Sequence, residues 1–181
     1  EIDGFKSYQP LPLEVSRGCI FKCAFCSHPF QDIKDPNAYI RTPENLASEL
    51  RRNYELFGTT RYAVLDDTFN DSIEKISRLK RAIELAKLPD FKFVSYIKPE
   101  LLVTKPEMIG QLADVGLAGG FMGIESMHQP SRKIIHKGMD INRILDATES
   151  LVAKTDAHIA ASFIVGLTHD TEELIRKGDE F

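Results

Sequence analysis

Leu13-Glu14-Val15-Ser16-Arg17-Gly18-Cys19-Ile20-Phe21-Lys22-Cys23-Ala24-Phe25-Cys26-Ser27-His28 opens as a strand and turns, at a glycine, into a loop that carries every cysteine of the chain. An odd, tightly clustered set of cysteines with no secretion signal ahead of it is a poor disulfide framework, so ligation of a metal or cluster is the better reading. Thiolates are soft ligands suited to iron-sulfur clusters or zinc, and the spacing lets one loop wrap a single centre. With no fourth cysteine in the chain, one iron of a [4Fe-4S] cube would lack a protein ligand and stand open to substrate or cofactor. The alternative is a closed Cys3His zinc site completed by His28, since structural zinc is usually four-coordinate.

Outward from this loop, β-forming runs alternate with helical patterns. Strands are expected at Leu13 to Arg17, Arg61 to Asp66, Phe91 to Tyr96, Gly120 to Ile124 and His158 to Val165. Several are continuous apolar runs, the pattern of strands covered on both faces in a parallel sheet. Thr42-Pro43 supplies an N-cap and first-turn proline for a helix with Leu46, Leu50, Tyr54 and Phe57 on one face and Gly58 at its end. Asp71 with Glu74 is expected to open a second helix that runs to about Lys87. Thr104, Lys105, Pro106 and Glu107 read as a capping box for a short third helix stopping at Gly116. A fourth is expected from about Ile141 to Lys154, burying Ile144, Leu145, Thr148, Leu151 and Val152, and Asp170 with Glu173 starts a fifth. This is an α/β chain of five β/α units with parallel strands. Two architectures fit, an open doubly wound sheet and a (β/α) barrel or part of one.

At 181 residues the chain reads as one domain, 1–181, against a guide of about 150 residues per domain. The absence of an initiator methionine and a close inside a helical pattern read as a piece of a longer polypeptide. Hydrophobic residues make up 43% and charged residues 28%, which excludes a disordered or collagen-like chain. The apolar runs fall far short of the roughly 20 residues a membrane span needs, and a cytoplasmic location is expected. A net charge of -4 without a basic stripe leaves no electrostatic footprint for a nucleic-acid backbone. Neither a Gly-x-Gly-x-x-Gly fingerprint nor a Walker loop is present.

Cys-x3-Cys-x2-Cys with Phe25 before the last cysteine, on the loop after the first strand of a β/α chain, resembles the radical S-adenosylmethionine (SAM) enzymes. Glu14 to Cys19, Asp66-Asp67-Thr68-Phe69, Gly123-Ile124-Glu125-Ser126 and Phe163-Ile164-Val165-Gly166-Leu167 are most similar to the branch with many cobalamin-binding members. The resemblance covers nearly the whole chain. It implies a partial TIM-like (β/α)6 barrel, a [4Fe-4S] cluster on Cys19, Cys23 and Cys26, and SAM chelating the open iron. It further implies an electron donor such as flavodoxin or ferredoxin, and reductive cleavage of SAM to methionine and a 5′-deoxyadenosyl radical that takes hydrogen from a substrate. Methyl and methylthio transfer are among the outcomes. Cobalamin would have to be bound by a segment other than these residues.

By the same resemblance Phe25 lies near the adenine, and Asp66 and Asp67 stand where the family often has Gly-Gly-Glu to receive the SAM ammonium. Glu125 and Ser126 match a position that meets the ribose or the methionine part. Ile164 and Gly166 match a Gly-x-Ile-x-Gly pattern flanking adenine, with Ser162 replacing its first glycine. Position supports these roles, because every expected strand ends in polar or unusual residues, Tyr96 and Lys98 after the third included, and ligands bind at that mouth in β/α architectures. Lys98 accordingly joins the cofactor-binding set, although before Pro99 it also reads as a solvated turn residue. Lys133, His136 and Lys137 read as a solvated basic face, and Asn70-Asp71-Ser72 as a helix cap rather than a glycosylation site.

Overall fold

The computed structural model describes residues 9–27 and 40–179. Five strands, β1 (Leu11–Leu13), β2 (Arg61–Val64), β3 (Lys92–Ile97), β4 (Leu117–Glu125) and β5 (His158–Phe163), pair in parallel in the order in which they occur. A doubly wound sheet reverses its strand order at a switch point. The present order never reverses, so successive strands step one way along the wall of a partial barrel.

Seven helices connect or follow the strands among the described residues: α1 (Pro43–Phe57), α2 (Ile73–Ala86), α3 (Pro99–Thr104), α4 (Glu107–Asp114), α5 (Gln129–Ile134), α6 (Ile141–Thr155) and α7 (Glu172–Asp179). α1 ends as its sequence directs. Thr42 Oγ1 accepts the Asn45 N–H at 3.2 Å, and Gly58, at φ 63°, donates its N–H to the Tyr54 carbonyl at 2.8 Å. Leu46, Ala47 and Leu50 are buried, whereas Tyr54 faces solvent.

Several expected boundaries shift. β1 lies earlier than Leu13 to Arg17, because the backbone N–H groups of Val15 and Ser16 donate to the Asp66 carboxylate instead of to a neighbouring strand. The cap of α2 is Ser72, whose Oγ accepts from the Glu74 N–H at 3.1 Å; Asp71 is instead buried against Lys75. Thr104 is no capping-box residue, since it closes α3 and its hydroxyl donates back to the Glu100 carbonyl at 3.2 Å. In α6 Ile144, Thr148 and Leu151 are buried while Val152 is exposed, and Asp140 is the cap. Asp170 does not cap α7: its Oδ2 accepts the Gly166 and Leu167 N–H groups, both at 2.9 Å, and Thr171 Oγ1 accepts from Leu174. The six-residue helices α3 and α5, each carrying proline in its first turn, had no separate expectation.

The sheet buries one face. Phe93, Ser95 and Ile97 of β3 point under the helices, while Val94 and Tyr96 alternate onto the other side with Leu65 and Phe121, all exposed. The expected cover on both faces is therefore seen on one among the described residues. Leu46, Leu50, Ile76, Leu79, Met108, Leu112, Ile144 and Leu151 pack with Tyr62, Val64, Phe93 and Met122 in a single core. At the end of β4 the register against β5 shifts between Gly123 and Glu125, and Glu125 adopts φ 67°. Such a bulge re-aims the side chain that follows it.

Candidate active site

Beyond β1 the chain turns into the cysteine loop at Gly18, which is buried at φ 84°, a conformation that suits glycine. Its far side is stapled to the segment after α5: the Ala24 N–H donates to the Ile135 carbonyl at 3.3 Å, and His136 Nδ1 lies 3.1 Å from the Lys22 carbonyl. Within the loop the Cys26 N–H donates to the Cys23 carbonyl at 3.1 Å. Cys19 Sγ lies 3.3 Å from Thr68 Oγ1 after β2, and Lys98 Nζ, after β3, lies 4.0 Å from Cys23 Sγ and 4.4 Å above the Phe21 ring. All three cysteines are unbridged and half-buried.

One cleft at the C-terminal mouth of the sheet gathers Cys19, Cys23, Cys26, Phe25, Asp67, Lys98 and Glu125, all anticipated from sequence, with Phe21, Thr68, Tyr96, Phe121, Lys137 and Ser162. Ser126 and Ile164 line an adjoining pocket with Asp170, and Glu125 belongs to both. Gly166, at φ 94°, lines neither and is held by its bond to Asp170. Asp66 is the outlier of the expected set. Its Oδ1 accepts the N–H groups of Val15 (2.9 Å) and Ser16 (3.1 Å), its Oδ2 accepts the Ser16 hydroxyl (2.7 Å), and it is 1% exposed and outside the cleft. Neighbouring positions at a strand end point to opposite sides, so one aspartate anchors the root of the loop and the other faces the cleft.

Lys137 corrects the expectation of a solvated basic face. It is 6% exposed, donates to the Gly123 carbonyl, and stands 3.6 Å from Glu100 Oε1 and 3.7 Å from Glu125 Oε1. Glu100 also meets Arg132 (3.4 Å) and Lys98 (3.6 Å), while Arg132 donates to the carbonyls of Ile124, Ser126 and Met139. Burial raises the Glu125 carboxyl above its ordinary range, against the pull of Lys137, and burial likewise lowers the Lys137 ammonium. Sequence offered a faint signal for this network, since Lys98-Pro99-Glu100 opens a helix, and none for Lys137.

A protein-family model described as the radical SAM superfamily matches residues 13–178. The chain belongs to that superfamily. It is similar to the hopanoid C-2 methylase of Rhodopseudomonas palustris, 26% identical over 166 residues covering 89% of this chain and 31% of that protein. An uncharacterized methyltransferase of Pyrococcus horikoshii is 26% identical over 168 residues, 92% of this chain and 35% of the relative. Among solved structures, the radical SAM methyltransferase TsrM of Kitasatospora setae, with cobalamin and a [4Fe-4S] cluster bound, superposes with a TM-score of 0.71 at 18% identity, covering 93% of this chain and 33% of that one. The fold is thus that of the radical SAM enzymes, and the chain spans about a third of the length of the curated relatives it matches.

The superfamily uses a [4Fe-4S] cluster and SAM. The donor set fits such a cluster: three unbridged thiols of one loop line one cleft, and the chain holds no fourth cysteine. Among the described residues no three His, Cys, Asp or Glu side chains, the cysteines included, are gathered closely enough to hold a single metal ion. His28, the fourth ligand of the zinc alternative, lies outside the described residues. No described helix is long and apolar enough to cross a membrane.

Proposed function

We propose that these residues form the radical-generating core of a methyl-transferring enzyme. The observation that carries the reading is the single cleft in which three thiols of one loop meet the polar ends of β2, β3 and β4. When bound, the cluster supplies the electron that cleaves SAM to methionine and a 5′-deoxyadenosyl radical able to take hydrogen from a substrate. Cys19, Cys23 and Cys26 ligate it. Asp67 receives the SAM ammonium through a charge-assisted hydrogen bond, while Asp66 holds the root of the cysteine loop in place. Glu125 accepts from the ribose hydroxyls, and its seat between two pockets lets Ser126 and Ile164 border the nucleoside, while Gly166 shapes the turn that Asp170 holds beside them. Phe25 lies against the adenine, and Lys98 faces the cofactors.

Methyl transfer is favoured over other radical outcomes by the curated relatives, which are named methylases or methyltransferases. Cobalamin, bound in the TsrM structure, would be held by another segment, and flavodoxin or ferredoxin would deliver the electron in a reducing cytoplasm. The test is anaerobic reconstitution of the full-length protein with iron and sulfide. About four irons per chain and dithionite-dependent release of 5′-deoxyadenosine are expected. Replacing any one of Cys19, Cys23 and Cys26 by Ala abolishes both. A colourless protein that keeps one zinc and cleaves no SAM would overturn the reading.

A further inference from the structure

The ion pairs linked behind the cysteine loop hold more cations than carboxylates. Glu100 and Glu125 supply two carboxylates, whereas Lys98, Arg132 and Lys137 supply three cations, linked pairwise at 3.4 to 3.7 Å. Glu100 is the hub: Oε1 meets Arg132 and Lys137, and Oε2, which accepts no hydrogen bond from the protein, stands 3.6 Å from Lys98 Nζ. Arg132 is fully buried and spends its guanidinium on backbone carbonyls, which makes it the structural member. Lys98 differs from it. Its ammonium lies between the Glu100 carboxylate, the face of Phe21 and Cys23 Sγ, so this cation is aimed at a thiol of the loop.

We propose that Lys98, braced by Glu100, is a positioning residue that supplies a fixed positive charge beside Cys23 and so raises the reduction potential of the cluster those cysteines hold. This rests on the proposed cluster assignment. The physical ground is that one-electron reduction adds one negative charge to the cluster, and a nearby cation stabilises the more negative state. Net charge and hydrogen bonds at the sulfurs are established levers on cluster potential. The partly buried setting lets a charge at this distance act without the full screening of water. Glu100 opposes the effect by offsetting part of the lysine charge. Lys137 adds to it more weakly, because Glu125 and the Gly123 carbonyl share its ammonium.

The test is an EPR-monitored redox titration of the reconstituted full-length protein without SAM, with iron counted in every sample. Lys98→Met should shift the midpoint to more negative potential, and Lys137→Met in the same direction by less. Glu100→Gln should shift it the opposite way, and Lys98→Arg should titrate like the parent. Opposite signs are what mere loosening of the fold would not produce. If Glu100→Gln fails to fold, Lys98→Met against Lys98→Arg decides alone. An unchanged midpoint in Lys98→Met, or a Lys98→Arg midpoint displaced as far as that of Lys98→Met, would overturn this inference while a four-iron parent leaves the cluster assignment standing. A parent that takes up no cluster overturns both.

Discussion

Two ion networks stand at neighbouring strand ends, one of two aspartates around a lysine and one of two glutamates among two lysines and an arginine, and they serve different ends. Behind β1 and β2, Lys75 meets Asp71 at 2.9 Å and Asp66 at 3.6 Å and donates to the Thr68 carbonyl at 2.8 Å. Asp66, Asp71 and Lys75 are nearly solvent-free and none of them lines the cysteine cleft. Behind β3 and β4, the Glu100 network puts Lys98, Lys137 and Glu125 on the wall of that cleft. The closed network spends its charge on the backbone of the loop root, while the open one keeps charge turned toward the cleft. Burial and pairing alone therefore do not mark a site, since buried ion pairs are often structural. The added criterion is that a charged atom faces the cavity.

The comparison breaks most readily at its closed end. Lys75→Met leaves two buried carboxylates without their cation, which should cost about 3 to 5 kcal/mol of stability, read as a lower urea midpoint with an unchanged slope. Retention of the parent's midpoint would show that the closed network carries no load.

The adjacent aspartates sharpen it next. Asp66→Asn weakens charge-assisted bonds to Val15 and Ser16 and should cost about 1.5 to 3 kcal/mol. Asp67→Asn should change stability by under about 0.5 kcal/mol yet raise the Kd for SAM about tenfold, measured calorimetrically on reconstituted protein. Reversed phenotypes would exchange the roles of the two residues.

Acid titration tests one carboxyl from each network. Burial raises both Asp71 and Glu125 above their ordinary values. Just above those ordinary values the folded chain retains protons that the unfolded chain has released, so stability falls as pH rises until the folded groups also ionise. Denaturant unfolding across that range should show a shallower fall in Asp71→Asn and in Glu125→Gln than in the parent.

The smallest effect is expected at Gly123, where an added Cβ would run into Glu125 Oε1 and come within 3.2 Å of Lys137 Nζ. Because the obstructing carboxylate ends a side chain that can shift, Gly123→Ala should cost under about 1 kcal/mol. A several-fold loss of SAM affinity would register the displaced Glu125, and parent-like binding would remove that residue from the site.

What the sequence determined by itself is whatever rests on neighbours along the chain. The thiol count and spacing of Cys19, Cys23 and Cys26, the Thr42 and Gly58 ends of α1 and the alternation of β and α units are local, because a loop, a cap and a strand are made by adjacent residues. Periodicity was less reliable at element edges, where Asp71, Thr104 and Asp170 suited a helix start but instead meet groups four residues away, Lys75, the Glu100 carbonyl and the Gly166 N–H, in competing local contacts. Only the tertiary structure separated Asp66 from Asp67, buried Lys137 and made Glu100 a hub. It brought Lys98 within 4.0 Å of Cys23 across 75 positions, and Asp66 to Val15 across 51. No local pattern encodes such distances: which side of a strand end opens onto a cavity is settled when separate β/α units stack their strand ends around one mouth, and that is a property of the assembled sheet.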